Sequence, residues 1–366
     1  MSILSDFTII GSGINGLLTA RELIKAGATV TVIEKNQLSK EASWAGGGIL
    51  LPLYPWRQAQ AITELVKISI KLYPALNNEL LSETGIDPEW TPCGLLITKN
   101  PDFLLAQEWC NNNQIPFQPG TEAQLMPFHT DTQNPIWLPE IAQARNPRLL
   151  AALLDDLSSK KVTFIEYCSL QNIHIANNHI EAILTSKGKI AVNQLILTTG
   201  AWTGTLWQDL FSSSETNLPE IYPVKGQMLL FDAQPGLLSH MILDNDRYLI
   251  PRRDGKILAG STVETAGFDK HVTNDAKQQL YDFATRLFPP LAEYPVTHHW
   301  AGIRPGTQHG IPYIDQHPEL DNLFINAGHF RNGLVMAPAS AQLLTDLVMN
   351  RKTSIDPVPY QLSARH

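Results

Sequence analysis

Phe7-Thr8-Ile9-Ile10-Gly11-Ser12-Gly13-Ile14-Asn15-Gly16 decides the fold of this chain. A short apolar strand runs into a glycine-rich turn. Helical periodicity follows through Ile14, Leu17, Leu18, Ala20, Leu23 and Ile24. Gly27 ends that helix, and Thr29 to Ile33 reads as a second strand. Strand, Gly-x-Gly-x-x-Gly turn, helix and strand in this order predict a dinucleotide-binding βαβ unit over residues 1–34. Gly11 permits the tight turn, Gly13 lets backbone N–H groups approach a pyrophosphate, and Gly16 lets the helix lie close to the strand. Ser12, Ile14 and Asn15 complete the loop, whose helix N-terminus faces the phosphates. Glu34 closes the second strand, where a carboxylate accepts bonds from ribose hydroxyls and repels a 2′-phosphate. This unit alone does not separate FAD from NAD.

Three further segments bear on that choice. Ala42-Ser43-Trp44-Ala45-Gly46-Gly47-Gly48-Ile49 leaves backbone open for a flat ring or a pyrophosphate. Thr198-Thr199-Gly200-Ala201-Trp202 is a strand end running into a small-residue turn. Gly328-His329-Phe330-Arg331-Asn332-Gly333 leads into a last helix that starts with Leu334 and Val335. The positive end of that helix suits an anionic ring atom such as that of a reduced flavin.

Working outward, helices are expected over 58–83 and 147–160, the second with Pro147 in its first turn. Val162 to Tyr167 reads as a strand, and 172–176 with 179–185 as a hairpin about Asn177-Asn178. Asn193 to Thr199 is a buried strand. Residues 222–265 alternate as an antiparallel sheet does, with a turn at Asp254-Gly255. A final strand at Leu323 to Asn326 precedes the helix 334–349, and the polar, proline-containing tail 351–366 reads as a surface extension. Parallel α/β character thus brackets antiparallel character. The expected fold class is α/β: a discontinuous FAD-binding domain (1–50, 145–205 and 300–366) interleaved with an antiparallel-sheet α+β substrate domain (51–144 and 206–299).

The motifs GSGING, AGGGIL, TTGAWTG, YLIPR, WAGIRPG and GHFRNGLVMAP together resemble the D-amino-acid oxidase family of flavoproteins, nearest its bacterial glycine-oxidising members. The resemblance covers nearly the whole chain. It implies FAD, a flavin domain of the glutathione-reductase type, and a cytoplasmic enzyme that often assembles as a homo-oligomer. It places Lys35, Leu170, Thr199, Gly200, Trp202, His329, Phe330, Asn332 and Gly333 at the cofactor, beside Gly47, Gly48 and Ile49. It also implies that Tyr248, Arg304 and Arg331 hold the substrate carboxylate, Arg331 touching the cofactor as well. An arginine fork pairs with a carboxylate through two parallel bonds. His329 is expected to contribute backbone rather than act as a base.

The implied reaction is oxidative deamination of glycine, sarcosine or small D-amino acids, by hydride transfer from Cα to flavin N5. Oxygen is the implied electron acceptor, and glycine oxidation would suit thiamine thiazole synthesis. The alternative is a D-amino-acid dehydrogenase that hands electrons to a quinone. Val263 stands where a longer side chain lines the pocket in glycine-oxidising relatives, so slightly larger substrates are expected to fit. No cysteine follows Cys168, and Trp44 stands near the place of a linking histidine in some relatives, so the FAD is expected to be non-covalent.

Bulk properties exclude other classes. The 366 residues are 43% hydrophobic and 17% charged, enough for more than one core. A net charge of −8 argues against a nucleic-acid surface. No apolar run reaches the ~18 residues of a membrane span, and the start lacks a signal-peptide pattern. Trp44, Ile49 to Leu53, Tyr54 and Trp56 suit a cover over the cofactor or a subunit interface better than a membrane contact. Cys93, Cys110 and Cys168 read as buried free thiols, and neither they nor His298 and His299 show metal-ligand spacing.

Overall fold

The computed structural model describes residues 4–99, 101–211 and 219–364. The last two residues of the tail therefore lie outside the described residues, as does the beginning of the first unit. A six-stranded sheet carries the opening motif. Its spatial order is Tyr313–Gln316, Leu323–Ala327, Gln194–Leu197, Phe7–Ile10, Val30–Ile33 and Thr163–Ile165. All neighbours are parallel except the Tyr313–Gln316 edge. The order reverses at Phe7–Ile10: the chain first moves to Val30–Ile33, then returns to Gln194–Leu197 on the other side. Such a reversal opens a crevice at the carboxyl ends of the two central strands. Gly11 and Thr198 stand at that crevice.

Helix Ile14–Lys25 buries Leu17, Leu18 and Leu23 and packs on Gly333–Val348. Helix Gln60–Thr84 packs on Gly333–Val348 from outside, with Ser69 Oγ donating to Met336 O at 3.2 Å. Buried Arg21 joins three helices by pairing with Glu79 at 2.8 Å and Asp156 at 2.9 Å. The hairpin Leu170–Ala176 and His179–Thr185 turns on Asn177 and Asn178, both with positive φ (51° and 60°), as a two-residue loop with twisted strands requires.

The second sheet has eight strands, in the order Val296–Gly306, Tyr222–Phe231, Ile257–Gly260, Arg247–Pro251, Met241–Asp244, Leu95–Ile97, Ile136–Leu138 and Gln118–Pro119. It is antiparallel except where Leu95–Ile97 runs parallel to Met241–Asp244. Val296–Gly306 belongs to this sheet and crosses the boundary expected at 299/300. Helix Gln60–Thr84, expected with the substrate sheet, lies on the helices of the first sheet instead.

One further expectation fails. The tail does not extend from the surface: Ile355, Tyr360 and Leu362 are buried, and the Tyr360 hydroxyl donates to Ala61 O at 2.7 Å. Three well-spaced apolar residues outweigh the polar average of the segment, because each buries its own area. Leu50, Leu51 and Tyr54 are buried, so no continuous exposed apolar patch forms over 44–56. Among the described residues no helix is long and apolar enough to cross a membrane.

Candidate cofactor and substrate site

One cavity runs from the glycine loop to the second sheet. At its first end Gly11, Gly13, Ile14 and Asn15 form the wall with Glu34, Lys35, Thr199, Gly200, Trp202 and Leu170. Gly16 lies just beneath them. A Cβ there would fall on Gly11 O and within 2.6 Å of Thr198 Oγ1, so only glycine lets this helix reach the strand. Ser12 is buried rather than in the wall. Its N–H and hydroxyl donate to Glu34 Oε2 at 3.0 and 2.9 Å, which fixes the carboxylate at the strand end. Lys35 lies 3.2 Å above the Trp202 ring, and burial pushes its ammonium down to about 8.

The small-residue run begins with a turn of helix, Ala42–Ala45, and then extends. Ser43 Oγ accepts from Ile14 N at 2.9 Å, so the run is tied to the N-terminus of the first helix. Asn146 Nδ2 donates to Ser43 O at 2.7 Å and holds the run from behind. Ala42, Ser43, Gly47, Gly48 and Ile49 all line the cavity, and Leu51 and Leu53 extend its apolar wall. The third wall is His329, Phe330, Arg331, Asn332, Gly333 and Leu334. Here helix Gly333–Val348 directs its N-terminus at the cavity; Val335 is buried in the core behind it.

The His329 ring is fully enclosed, and burial pushes it down to about 3. Asn15 Nδ2 donates to its Nδ1 at 3.2 Å, so Nε2–H donates to Ser340 Oγ at 3.1 Å. A ring held neutral in this way is a strut, not a base. Asn15 Oδ1 and Asn146 Oδ1 are buried without a hydrogen-bond partner among the described residues. Orphaned acceptors beside two helix N-termini call for a ligand that brings both hydrogen-bond donors and negative charge. FAD, with its pyrophosphate, hydroxyls and ring imide, has that composition.

The far end holds Tyr248, Arg304 and Arg331 together. Arg304 rises from Val296–Gly306. Its Nη1 donates to Lys225 O at 3.3 Å and Thr262 O at 3.2 Å, and its Nη2 to Ser261 Oγ at 2.8 Å. These bonds use three of the five guanidinium N–H groups and leave the others for Tyr248 and an incoming carboxylate. Burial lowers the Arg304 pKa, and nearby Arg331 lowers it further, while Tyr248 favours its charged form. Two cations facing one space attract an anion. Arg331 Nη2 donates to Asp246 O at 3.2 Å.

Gly226, which sequence reasoning missed, is what admits Arg304: a Cβ there would collide with the guanidinium. Gly226→Ala is therefore expected to displace Arg304 and raise KM for a carboxylate substrate at least tenfold while FAD stays bound. Unchanged KM would show that Arg304 does not set substrate binding.

Val263 is a correction. It is 51% exposed and stands outside the cavity wall, so it does not set substrate size. The cis Gly260-Ser261 peptide precedes it, and the residues of this segment that accept from Arg304 are the buried Ser261 and Thr262.

Comparison with known proteins places the whole chain beside one family. The model of the FAD dependent oxidoreductase family, DAO, matches residues 6–347. A glycine oxidase of Pseudomonas aeruginosa is 42% identical over 362 residues, covering 98% of each chain. The bifunctional protein ThiO/ThiG of Synechocystis is 31% identical, with this chain spanning 53% of its length. The crystal structure of glycine oxidase from Geobacillus kaustophilus superposes with a TM-score of 0.91 at 28% identity, covering 99% of each chain. A match over almost the full length, on a cavity bounded by the glycine loop and the small-residue run, means that this chain belongs to the family of FAD dependent oxidoreductases.

Proposed function

We infer that this chain oxidises glycine, with sarcosine and small D-amino acids as further substrates. The observation that carries the reading is the convergence of Arg304, Arg331 and Tyr248 on one end of the cavity. Glycine offers little besides a carboxylate and an amine, so its binding rests on the charged pair. Arg304 presents a fork to the carboxylate, and Arg331 adds charge. Tyr248 orients it through the phenol. The apolar wall of Ile49, Leu51 and Leu53 excludes water and favours the neutral amine.

Bound FAD would supply the redox chemistry, as acceptor of a hydride from the substrate Cα. The glycine loop, Glu34, Lys35 and the run 42–49 hold the cofactor by hydrogen bonds and packing, without a covalent link. Glycine, oxygen and water give glyoxylate, ammonia and hydrogen peroxide; sarcosine gives methylamine in place of ammonia. Identity to proteins named glycine oxidases supports oxygen as the acceptor over a quinone. The likeness to proteins named ThiO/ThiG supports a role in supplying thiamine thiazole synthesis. The reading includes a cytoplasmic homo-oligomer and a flavin domain interleaved with a substrate domain built on the eight-stranded sheet.

The test is anaerobic. Glycine is expected to bleach the yellow protein, and air to restore the colour with stoichiometric peroxide. Denaturation is expected to release FAD into the supernatant. Bleaching that is reversed by a quinone but only slowly by air would move the chain to the dehydrogenases. No bleaching by glycine, sarcosine or D-alanine would end the amine-oxidising reading.

A further inference from the structure

Arg252 carries a buried charge that the site described so far leaves unused. It follows strand Arg247–Pro251 and is 8% exposed. Its Nη2 donates to Gly47 O at 2.7 Å; its Nη1 donates to Ala144 O at 3.1 Å and to Gln143 Oε1. All three acceptors are neutral. Among the described residues no carboxylate lies within salt-bridge distance of it. The acids that act on it from further away, Glu89 and Asp254, are bound to Arg145 at 3.2 and 2.9 Å, and Glu89 also to Arg148 at 3.3 Å. Burial, with Arg145 nearby, pushes the guanidinium down to about 10, so it stays cationic at neutral pH.

Burying a cation without a counter-ion is costly, because no opposite charge nearby repays its lost hydration. A purely structural clamp would be served more cheaply by a neutral amide. What Arg252 grips is the carbonyl of Gly47, in the middle of the run that lines the cavity beside Tyr248. In a planar trans peptide the Gly48 N–H lies opposite that carbonyl and points away from Arg252. The same contact therefore orients a backbone donor and brings a full positive charge close behind the cavity wall. A bound carboxylate offsets part of the charge of Arg304 and Arg331, whereas Arg252 has neutral acceptors alone and keeps its own.

We propose that Arg252 is a positioning and electrostatic residue for the flavin, fixing the Gly47–Gly48 peptide and stabilising negative charge on the reduced ring. The proposal rests on the reading that the redox ring lies at this end of the cavity. A fixed cation beside developing anionic charge favours the reduced state without any movement during the reaction.

The experiment uses purified holoenzyme and reads two quantities besides turnover: the midpoint potential of the bound flavin and the dissociation constant for sulfite. Sulfite donates its sulfur lone pair to flavin N5, and the adduct leaves negative charge on the ring. Arg252→Met is expected to weaken sulfite binding at least tenfold. It should lower the potential by ~30 mV, the equivalent of tenfold for a two-electron couple. Arg252→Lys, which keeps the charge and loses the fork, should retain most of both. Arg145→Met removes none of the Arg252 hydrogen bonds but frees Asp254 and leaves Glu89 with Arg148 as its partner, so both can act more strongly on the cation. It should shift both quantities in the same direction by a smaller factor. Arg252→Met with bound FAD and wild-type potential and sulfite affinity would overturn the proposal. If that variant loses FAD, Arg145→Met decides, and no shift there overturns it equally. A wild-type protein without FAD would instead overturn the site reading, and the Arg252 proposal with it.

Discussion

Arg304→Ala is expected to lower kcat/KM for glycine by about 10²–10³-fold, equivalent to ~3–4 kcal/mol of lost transition-state binding. Glycine has no side chain, so few other contacts replace the fork. Truncation also leaves the substrate carboxylate with Arg331 and Tyr248 but without its fork, and a buried charge that loses a partner is costly. The loss should appear mainly in KM, because the carboxylate keeps its charge through the reaction. Arg304→Lys should recover only part, since an ammonium lacks the planar fork. Arg331→Ala should act in the same direction. Stopped-flow bleaching against glycine concentration separates substrate affinity from the rate of hydride transfer. Wild-type affinity in Arg304→Ala, with FAD bound, would remove this residue from the site.

The second large effect is at the cofactor. Gly16→Ala is expected to reduce bound flavin per chain more than tenfold and to destabilise the protein by ~1–3 kcal/mol. The added methyl would meet Gly11 O, a backbone atom fixed by the central strand, and Thr198 Oγ1. Thr198 Oγ1 itself donates to Ile10 O at 3.1 Å and Gly11 O at 2.9 Å, so it has no slack. Helix Ile14–Lys25 must therefore move away from the strand and take the loop N–H groups with it. The ratio of flavin to protein absorbance and a thermal melt measure the two consequences. A variant that keeps full flavin would mean that the loop tolerates a wider helix–strand gap.

Some local signals carried their structure because they act within a few residues. The helix at 14–26 appears as Ile14–Lys25, and 147–160 as Asn146–Ser159 with Pro147 in the first turn. The Asn177-Asn178 hairpin likewise depends only on backbone that tolerates positive φ. Other elements needed distant partners. Leu95–Ile97 is three residues long, too short to show alternation, and becomes a strand only by lying between Met241–Asp244 and Ile136–Leu138. The tail shows the opposite case: its composition is polar, but packing acts on single apolar side chains.

The site divides in the same way. By itself the sequence determined that a dinucleotide unit opens the chain, that a run of small residues follows its ribose-binding acid, and that Arg304 and Arg331 lie in glycine-bearing motifs. Loop conformation depends on neighbouring residues and is written where those residues are. Only the tertiary structure decided that Val263 faces solvent, that Gly226 makes room for Arg304, that Asn146 and Arg252 hold the small-residue run, and that the neutral His329 ring is a strut. Apart from the exposure of Val263, each of these rests on a contact between segments tens to hundreds of residues apart, and its energy depends on distance, burial and the absence of competing charge. Those quantities exist only once the two sheets have come together around the cavity.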